Sequence, residues 1–389
     1  MINRDAKDTL LRLSKGFPVV AVTGPRQSGK TTLVRSVFFD KPYVSLEDLD
    51  KRGFAEEDPR AFLATYPDGA IFDEIQRCPD LFSYLQTIVD NNPRMGRYIL
   101  TGSQQFGFFS NISQSLAGRV GMVQLLPFCH GELCAAKQGL SSVEEAIYRG
   151  FYPPLYDRQV TAADWYPGYV VTYLERDLRQ LIQVKDLRTF QLFLRMCAAR
   201  TGQLLNLSSL ANDCGITHNT AKAWISVLEA SYVLFLLQPH HKNFNKRLIK
   251  SPKLYFYDTG LACWLLGIQN KDQVVTHALR GALFETWVLS ELIKGRFNRG
   301  LHSNLYFWRD RSGTEVDVII EQGDILFPVE IKSGKTLTTG YFSGLKKWLA
   351  MADDVTGSAR LVYAGDEEQM RTQFDVIPWH SVSKLAQVV

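Results

Sequence analysis

The chain has 389 residues, 46% of them apolar and 22% charged, a balance that excludes a disordered chain and, at this length, calls for two or three domains. Lys and Arg number 44 against 40 Asp and Glu, a net charge of +4. That excess is too small to establish a nucleic-acid partner, which only local clustering could argue.

Six scattered cysteines with no CxxC pair exclude a disulfide scaffold and fit a reducing compartment. The group Cys129, His130 and Cys134 lacks the second ligand pair that a structural zinc site needs. The first residues carry no apolar signal core, and the longest apolar stretch, 232–237, is far short of the ~20 residues a bilayer requires. A cytoplasmic protein with no membrane partner is expected.

In chain order, 17–23 (FPVVAVT) reads as a buried strand entering a Gly-rich turn, and 31–39 has helical spacing. Residues 41–48 read as a second strand and 70–74 as a third, followed by a helix that Pro79 opens. Strands four and five are expected at 97–103 and 120–128. Strands alternating with helices predict a parallel sheet covered on both faces, in a first domain over 1–135. A helical, lid-like region follows over 136–200. Over 206–237 come a helix, a turn with Gly215 and a second helix capped by Thr217; apolar segments behind them suit the two strands of a wing. This places a winged helix at 201–267. A last α/β domain, 268–389, opens with a helix and continues in strands.

Gly24-Pro25-Arg26-Gln27-Ser28-Gly29-Lys30-Thr31 fits G-x-x-x-x-G-K-[ST], with Thr32 following, and lies between a strand and a helix. Glycines let backbone amides wrap a phosphate, and the helix N-terminus adds positive potential. Lys30 is expected on the β- and γ-phosphates of ATP and the Thr31 hydroxyl on Mg²⁺. Asp73, ending an apolar strand, suits the same Mg²⁺, and Glu74 suits polarising the attacking water. Thr101 and Ser103 end the next strand, where a hydroxyl senses the γ-phosphate. Arg119 reads two ways: a charge donor to a neighbouring subunit's ATP, which requires a homo-oligomer, or a surface ion pair.

A second cluster lies near the C-terminus. If Gly323-Asp324 is a two-residue turn, 322 pairs with 325 and Asp317 with Glu330, which makes two carboxylates cross-strand neighbours. Lys332 shares their face, while Val316, Val318, Ile320, Phe327, Val329 and Ile331 point into a core. Facing carboxylates repel unless a cation lies between them. Mg²⁺ on Asp317 and Glu330, with Lys332 beside it and Glu285 on the preceding helix, could activate water against a phosphodiester. The alternative is a solvated face with Lys332 paired to Glu330 or Glu315.

A basic run, His240 to Arg247 with Lys250 and Lys253, has no acid before Asp258. As a wing tip it could track a DNA backbone, helped by His218, Asn219, Thr220 and Lys222; winged helices also serve as packing modules. Arg176 and Arg179 face either the nucleotide or a domain interface.

These motifs run on through SLAGR, TYLERD, TGQLLN, KLYFYDTGL, LFETWV, GTEVD and VEIKSGK. Together they resemble the prokaryotic AAA-type ATPases (AAA_14) that carry a C-terminal DUF4143 domain, over nearly the whole chain. The resemblance implies an α/β fold class with a P-loop AAA-type parallel-sheet domain, a helical and winged-helix middle region and a C-terminal restriction-endonuclease-like domain. It also implies nucleotide roles for Lys30, Thr31, Asp73 and Glu74, a sensor role for Ser103 and a finger role for Arg119. The last domain resembles the PD-(D/E)xK nuclease fold, with Glu285, Asp317, Glu330 and Lys332 at the motif positions. The function expected is an ATP-hydrolysing protein acting on DNA with a Mg²⁺-dependent nuclease site; the alternative is an ATP-dependent oligomerising switch or scaffold whose last domain only binds.

Overall fold

The computed structural model describes residues 2–103, 115–173, 186–241, 249–352 and 356–388. The chain divides into two compact units. The first comprises Met1–Phe128 and two returning pieces, Ala230–Tyr232 and Phe297–Leu301; the second holds the rest.

The first unit runs α1 (Ala6–Gly16), β1 (Val19–Thr23), α2 (Lys30–Val37), β2 (Tyr43–Ser45), α3 (Leu49–Glu57), α4 (Pro59–Ala64), β3 (Ile71–Asp73), α5 (Leu81–Asn91), β4 (Tyr98–Gly102) and β5 (Val120–Gln124). The strands form one sheet, ordered β2-β3-β4-β1-β5, with every pairing parallel. Alternation along β1 divides its side chains between two cores. Val19 and Ala21 join Phe72, Tyr98 and Leu100 beneath Phe62, Leu63, Phe82 and Leu85. Val20 and Val22 join Ile71, Ile99 and Val123 against Ala6, Leu10, Leu33 and Val34. A strand covered on both faces has no polar side, which is why VVAV stands out as an unbroken apolar run. The pairings Thr23↔Gly102 and Phe72↔Leu100 bring the carboxyl ends of β1, β3 and β4 to one edge, where ligands of open parallel sheets bind.

The second unit begins with short helices and an aromatic cluster in which Trp165 lies 4.7 Å from Tyr169 and 4.8 Å from Tyr152, centroid to centroid. Asp258 ties this region together. Its carboxylate caps the helix Thr259–Leu265 through Leu261 N (2.9 Å) and accepts from Phe151 N (2.8 Å) and Tyr166 Oη (2.6 Å). Further on, the helix Leu207–Asp213, Gly215 at φ 65° and the helix His218–Ala230 follow one another. Thr217 caps the second helix through Thr220 N at 3.1 Å. Strands β6 (Leu234–Leu237) and β7 (Lys253–Phe256) then pair antiparallel. Residues 242–248 of the basic run, and Arg176 and Arg179, lie outside the described residues.

After the helix Arg280–Asn298 comes a six-stranded mixed sheet of β8 (Leu305–Arg309), β9 (Glu315–Gln322), β10 (Ile325–Lys332), β11 (Ala359–Tyr363), β12 (Gln369–Met370) and β13 (Phe374–Pro378). Its order is β12-β13-β11-β10-β9-β8. The β9–β10 hairpin has the expected register, from Gln322↔Ile325 to Val318↔Val329, with Gly323 at φ 60° supplying the turn. The expected alternation, however, breaks next to Asp317. Tyr306 pairs with Ile319 but Trp308 pairs with Val316, so β9 carries an extra residue. Val316 therefore packs with Ile319, Leu326 and Trp348 in one core, and not on the face of Val318 and Ile320 as alternation predicts. Among the described residues no helix is long and apolar enough to cross a membrane.

Candidate functional site

The loop between β1 and α2 turns on backbone that side chains rarely allow. Gly24 has φ 149°, and a Cβ there would stand 2.1 Å from the Leu125 carbonyl oxygen. Gln27 and Gly29 also take positive φ, 60° and 91°. Lys30, buried, folds its Nζ back to the carbonyls of Gly24 (3.0 Å) and Pro25 (2.8 Å), which marks the inside of the loop as the cation's place. Burial lowers its pKa against the opposing pull of Glu74 and Asp73. Ser28 is fully buried with an unpartnered Oγ, while Gln27 and Thr32 are exposed at the rim. Beneath the loop, Arg4 donates to the carbonyls of Ser28 (2.8 Å) and Leu126 (2.6 Å).

Asp73 collects three hydroxyls. Thr31 Oγ1 donates to its two oxygens at 3.0 and 3.1 Å, Tyr43 Oη at 2.7 Å, and Thr101 Oγ1 makes a further short bond. Burial, then Asp73, pushes the Tyr43 pKa up to about 12. Glu74, held at φ 55°, accepts from Ser103 Oγ at 2.9 Å and from Gln76 Nε2, and its amide donates to Thr101 Oγ1 at 3.2 Å. The edge-strand Tyr43 escaped sequence reading, since only the β2–β3 pairing, Ser45↔Asp73, brings it there. So did Tyr232, which returns from far along the chain to bond Thr23 Oγ1 at 2.8 Å. The donor set fits Mg²⁺: a threonine hydroxyl and a buried carboxylate already in contact, with a lysine next to the threonine in sequence. Arg119 forms a two-pronged ion pair with Asp90, with Nη2 2.9 Å from Oδ2, the second of its two expected roles.

In the second unit the carboxylate cluster is real, but its cations are lysines. Lys332 Nζ lies 2.5 Å from Glu330 and 3.4 Å from Asp317, whose Oδ2 also accepts the Ile331 amide at 2.8 Å. Lys253 is not on an exposed basic face. It is buried, with Nζ 3.2 Å from Glu285 and 2.5 Å from Glu315, and Glu285 also accepts from Tyr255. Glu315 pairs with Arg309 at 3.3 Å, and not with Lys332. Burial, reinforced by Asp317, raises Glu330 to about 8; burial likewise raises Glu285 to about 7 against the opposing charge of Lys253. Burial works against both ammonium groups, but the surrounding carboxylates outweigh it and raise them.

One ammonium thus already bridges Asp317 and Glu330, and Glu330 Oε2 is buried without a partner, so two ligands suit a small divalent cation. Glu285 is not a third. Among the described residues no three carboxylates of this cluster bring an oxygen each within 4.8 Å of one another. His130 and Cys134, set aside as zinc ligands, are in contact, with Sγ 3.6 Å from Nε2.

A parallel sheet whose first strand enters this loop, with an acid pair at the end of a neighbouring strand, defines the class: a P-loop ATPase fold. A family model described as an AAA domain (AAA_14) matches residues 16–134. Domains of unknown function DUF8612 and DUF4143 match 140–272 and 280–382. Uncharacterized protein Rv2008c of Mycobacterium tuberculosis is 33% identical over 369 residues, covering 93% of this chain and 80% of its own, and Mb2031c of Mycobacterium bovis matches equally. The chain belongs to the family of these proteins, with an AAA domain and a C-terminal DUF4143 domain. Among solved structures, the Walker-type ATPase PABY2304 of Pyrococcus abyssi is similar at 14% identity with a TM-score of 0.45, over 68% of this chain and 96% of that one.

Proposed function

We propose that this chain binds Mg²⁺-ATP in the loop 24–32 and hydrolyses it, and that it uses the cycle to act on DNA. The observation that carries the first part is the contact of Thr31 with Asp73, beside Lys30 and one residue from Glu74. Thr31 and Asp73 would hold the metal, which supplies charge neutralisation for the phosphates. Lys30 leaves its two carbonyl partners for the β- and γ-phosphates. Glu74 orients the attacking water, itself held by Ser103 and Gln76. Steady-state phosphate release tests this: turnover should vanish in Lys30→Ala, and persistence there would refute the reading.

The segment 201–267 serves as the winged helix of the DNA reading, and Lys253 takes no part in its basic face, being buried. The C-terminal cluster serves as the nuclease site, Asp317 and Glu330 holding Mg²⁺ and Lys332 stabilising developing charge. A second reading, in which this domain only docks and ATP sets oligomeric state, is favoured by the two lysines, each of which contacts two carboxylates of the cluster. Cleavage of a labelled four-way junction and a matched duplex separates the readings. Cutting lost in Asp317→Ala, with ATP turnover kept, supports the nuclease. Junction binding without cutting, together with an oligomer that forms in ATP and dissociates in ADP, supports the switch. In the switch reading Arg119 exchanges Asp90 for a neighbouring subunit's nucleotide.

A further inference from the structure

At the opposite end of the sheet from the phosphate loop, a cavity of about 630 Å³ opens between α4 and α5. Its wall is apolar where it meets the core, with Leu63 on α4, Tyr84 and Ile88 on α5, and Tyr98 at the start of β4. Two guanidinium groups line it, Arg60 and Arg97, and no carboxylate does. The nearest acid in sequence, Asp68, is held by Arg94 at 2.9 Å.

Three polar groups here lack what the rest of the fold supplies. Tyr98 is fully buried, yet its Oη has no hydrogen-bond partner, and Arg97 Nε is likewise buried and unpartnered. Arg60, exposed on α4, makes no ion pair among the described residues. A buried phenol without a partner is destabilising unless a ligand or water completes it.

Arg97 is built in. Its Nη2 donates to Pro67 O at 2.9 Å, its guanidinium lies 5.2 Å from the Tyr98 ring centroid, and Gly69, at φ 96°, leaves no room for a Cβ against its carbonyl. Such a volume, mostly apolar with a few convergent polar groups, is that of a small-molecule site.

We propose that this cavity binds a small amphipathic anion: an aromatic or aliphatic body against Leu63, Tyr84 and Ile88, and one carboxylate between Arg60 and Arg97 that also accepts from Tyr98 Oη. The site is separate from the nucleotide loop, since Tyr98 and Gly102 are the two ends of β4, about 13 Å apart at strand rise. It is not isolated from it, because the Tyr98 ring stacks on Phe72 at 5.9 Å, and Asp73 is the next residue.

Calorimetric titration of the full chain with 4-phenylbutyrate, 4-phenylbutyramide and inorganic phosphate tests this. The acid should bind at one per chain and about tenfold or more tighter than the amide, as a charge-assisted bond requires, and phosphate alone should not bind. Arg60→Gln and Arg97→Gln should each erase the preference for acid over amide, and Ala64→Trp, filling the mouth, should abolish both. Ala64 and Arg60 are exposed, so these two variants carry the test if Arg97→Gln does not fold. No saturable binding to the wild type, equal affinity for acid and amide, or undiminished binding to Ala64→Trp would overturn the proposal. So would sedimentation showing that this face is closed by a second copy of the chain.

Discussion

Asp73 accepts three hydroxyls in the space that a metal needs, while Glu74 next to it is held by Ser103 and Gln76. In the proposed function the two neighbours do different work, one holding a cation and one holding water. Glu74→Gln should keep ATP binding and lower turnover by about 10²–10⁴-fold, measured by nucleotide titration beside steady-state kinetics. Equal losses in both would make Glu74 a binding residue. Lys30, Thr31, Asp73 and Glu74 were legible because each belongs to a short local pattern at the end of an apolar strand. Tyr43 was not, because an exposed tyrosine on a three-residue edge strand carries no signal until strand pairing supplies Asp73. Lys253 misled for a related reason. It closes a basic run in sequence, and only tertiary structure buries it against Glu285 and Glu315.

At the level of elements, the turn chemistry of Gly323-Asp324 was enough to set the hairpin register, and that register held. The extra residue in β9 was invisible, because a bulge is decided by the partner strand β8 and alternation within β9 alone gives no sign of it. Asp258 is a comparable case: its own neighbours in sequence give no sign that its carboxylate joins three separate segments, at Phe151, Tyr166 and Leu261. Asp258→Ala should remove a helix cap and strand the buried Phe151 amide, costing about 2–4 kcal/mol in chemical denaturation.

The helix before β6 supplies a pH test. Burial raises Glu229 to about 7 against a backbone hydrogen bond from Leu236 that favours the charged form. The folded state keeps this proton above the ordinary value of 4.5, so stability should fall as pH rises from about 4.5 to 7 and then level off. Glu229→Gln should match the wild type at pH 4 and exceed it at pH 8 by up to about 3 kcal/mol. An unchanged slope in the variant would assign the dependence to other groups.

For the whole molecule, two units with separate cores predict two unfolding transitions where a small domain shows one. All seven tryptophans, at 165, 224, 264, 287, 308, 348 and 379, belong to the second unit, so indole emission reports that unit alone while far-ultraviolet dichroism reports both. Mg²⁺-ATP at a hundred times its Kd should shift the transition that fluorescence does not see, by about 2.7 kcal/mol. A matching shift in indole emission would mean that nucleotide binding is felt across the molecule.

The chain leaves the first unit after Phe128 and returns to it twice, at Ala230–Tyr232 and Phe297–Leu301. During synthesis, therefore, the ribosome makes the complete phosphate loop long before it makes Tyr232, the residue that bonds Thr23 just ahead of that loop. The nascent first unit must wait through more than two fifths of translation for its last pieces. A fragment ending at 135 corresponds to that waiting state, and one ending at 301 to its release.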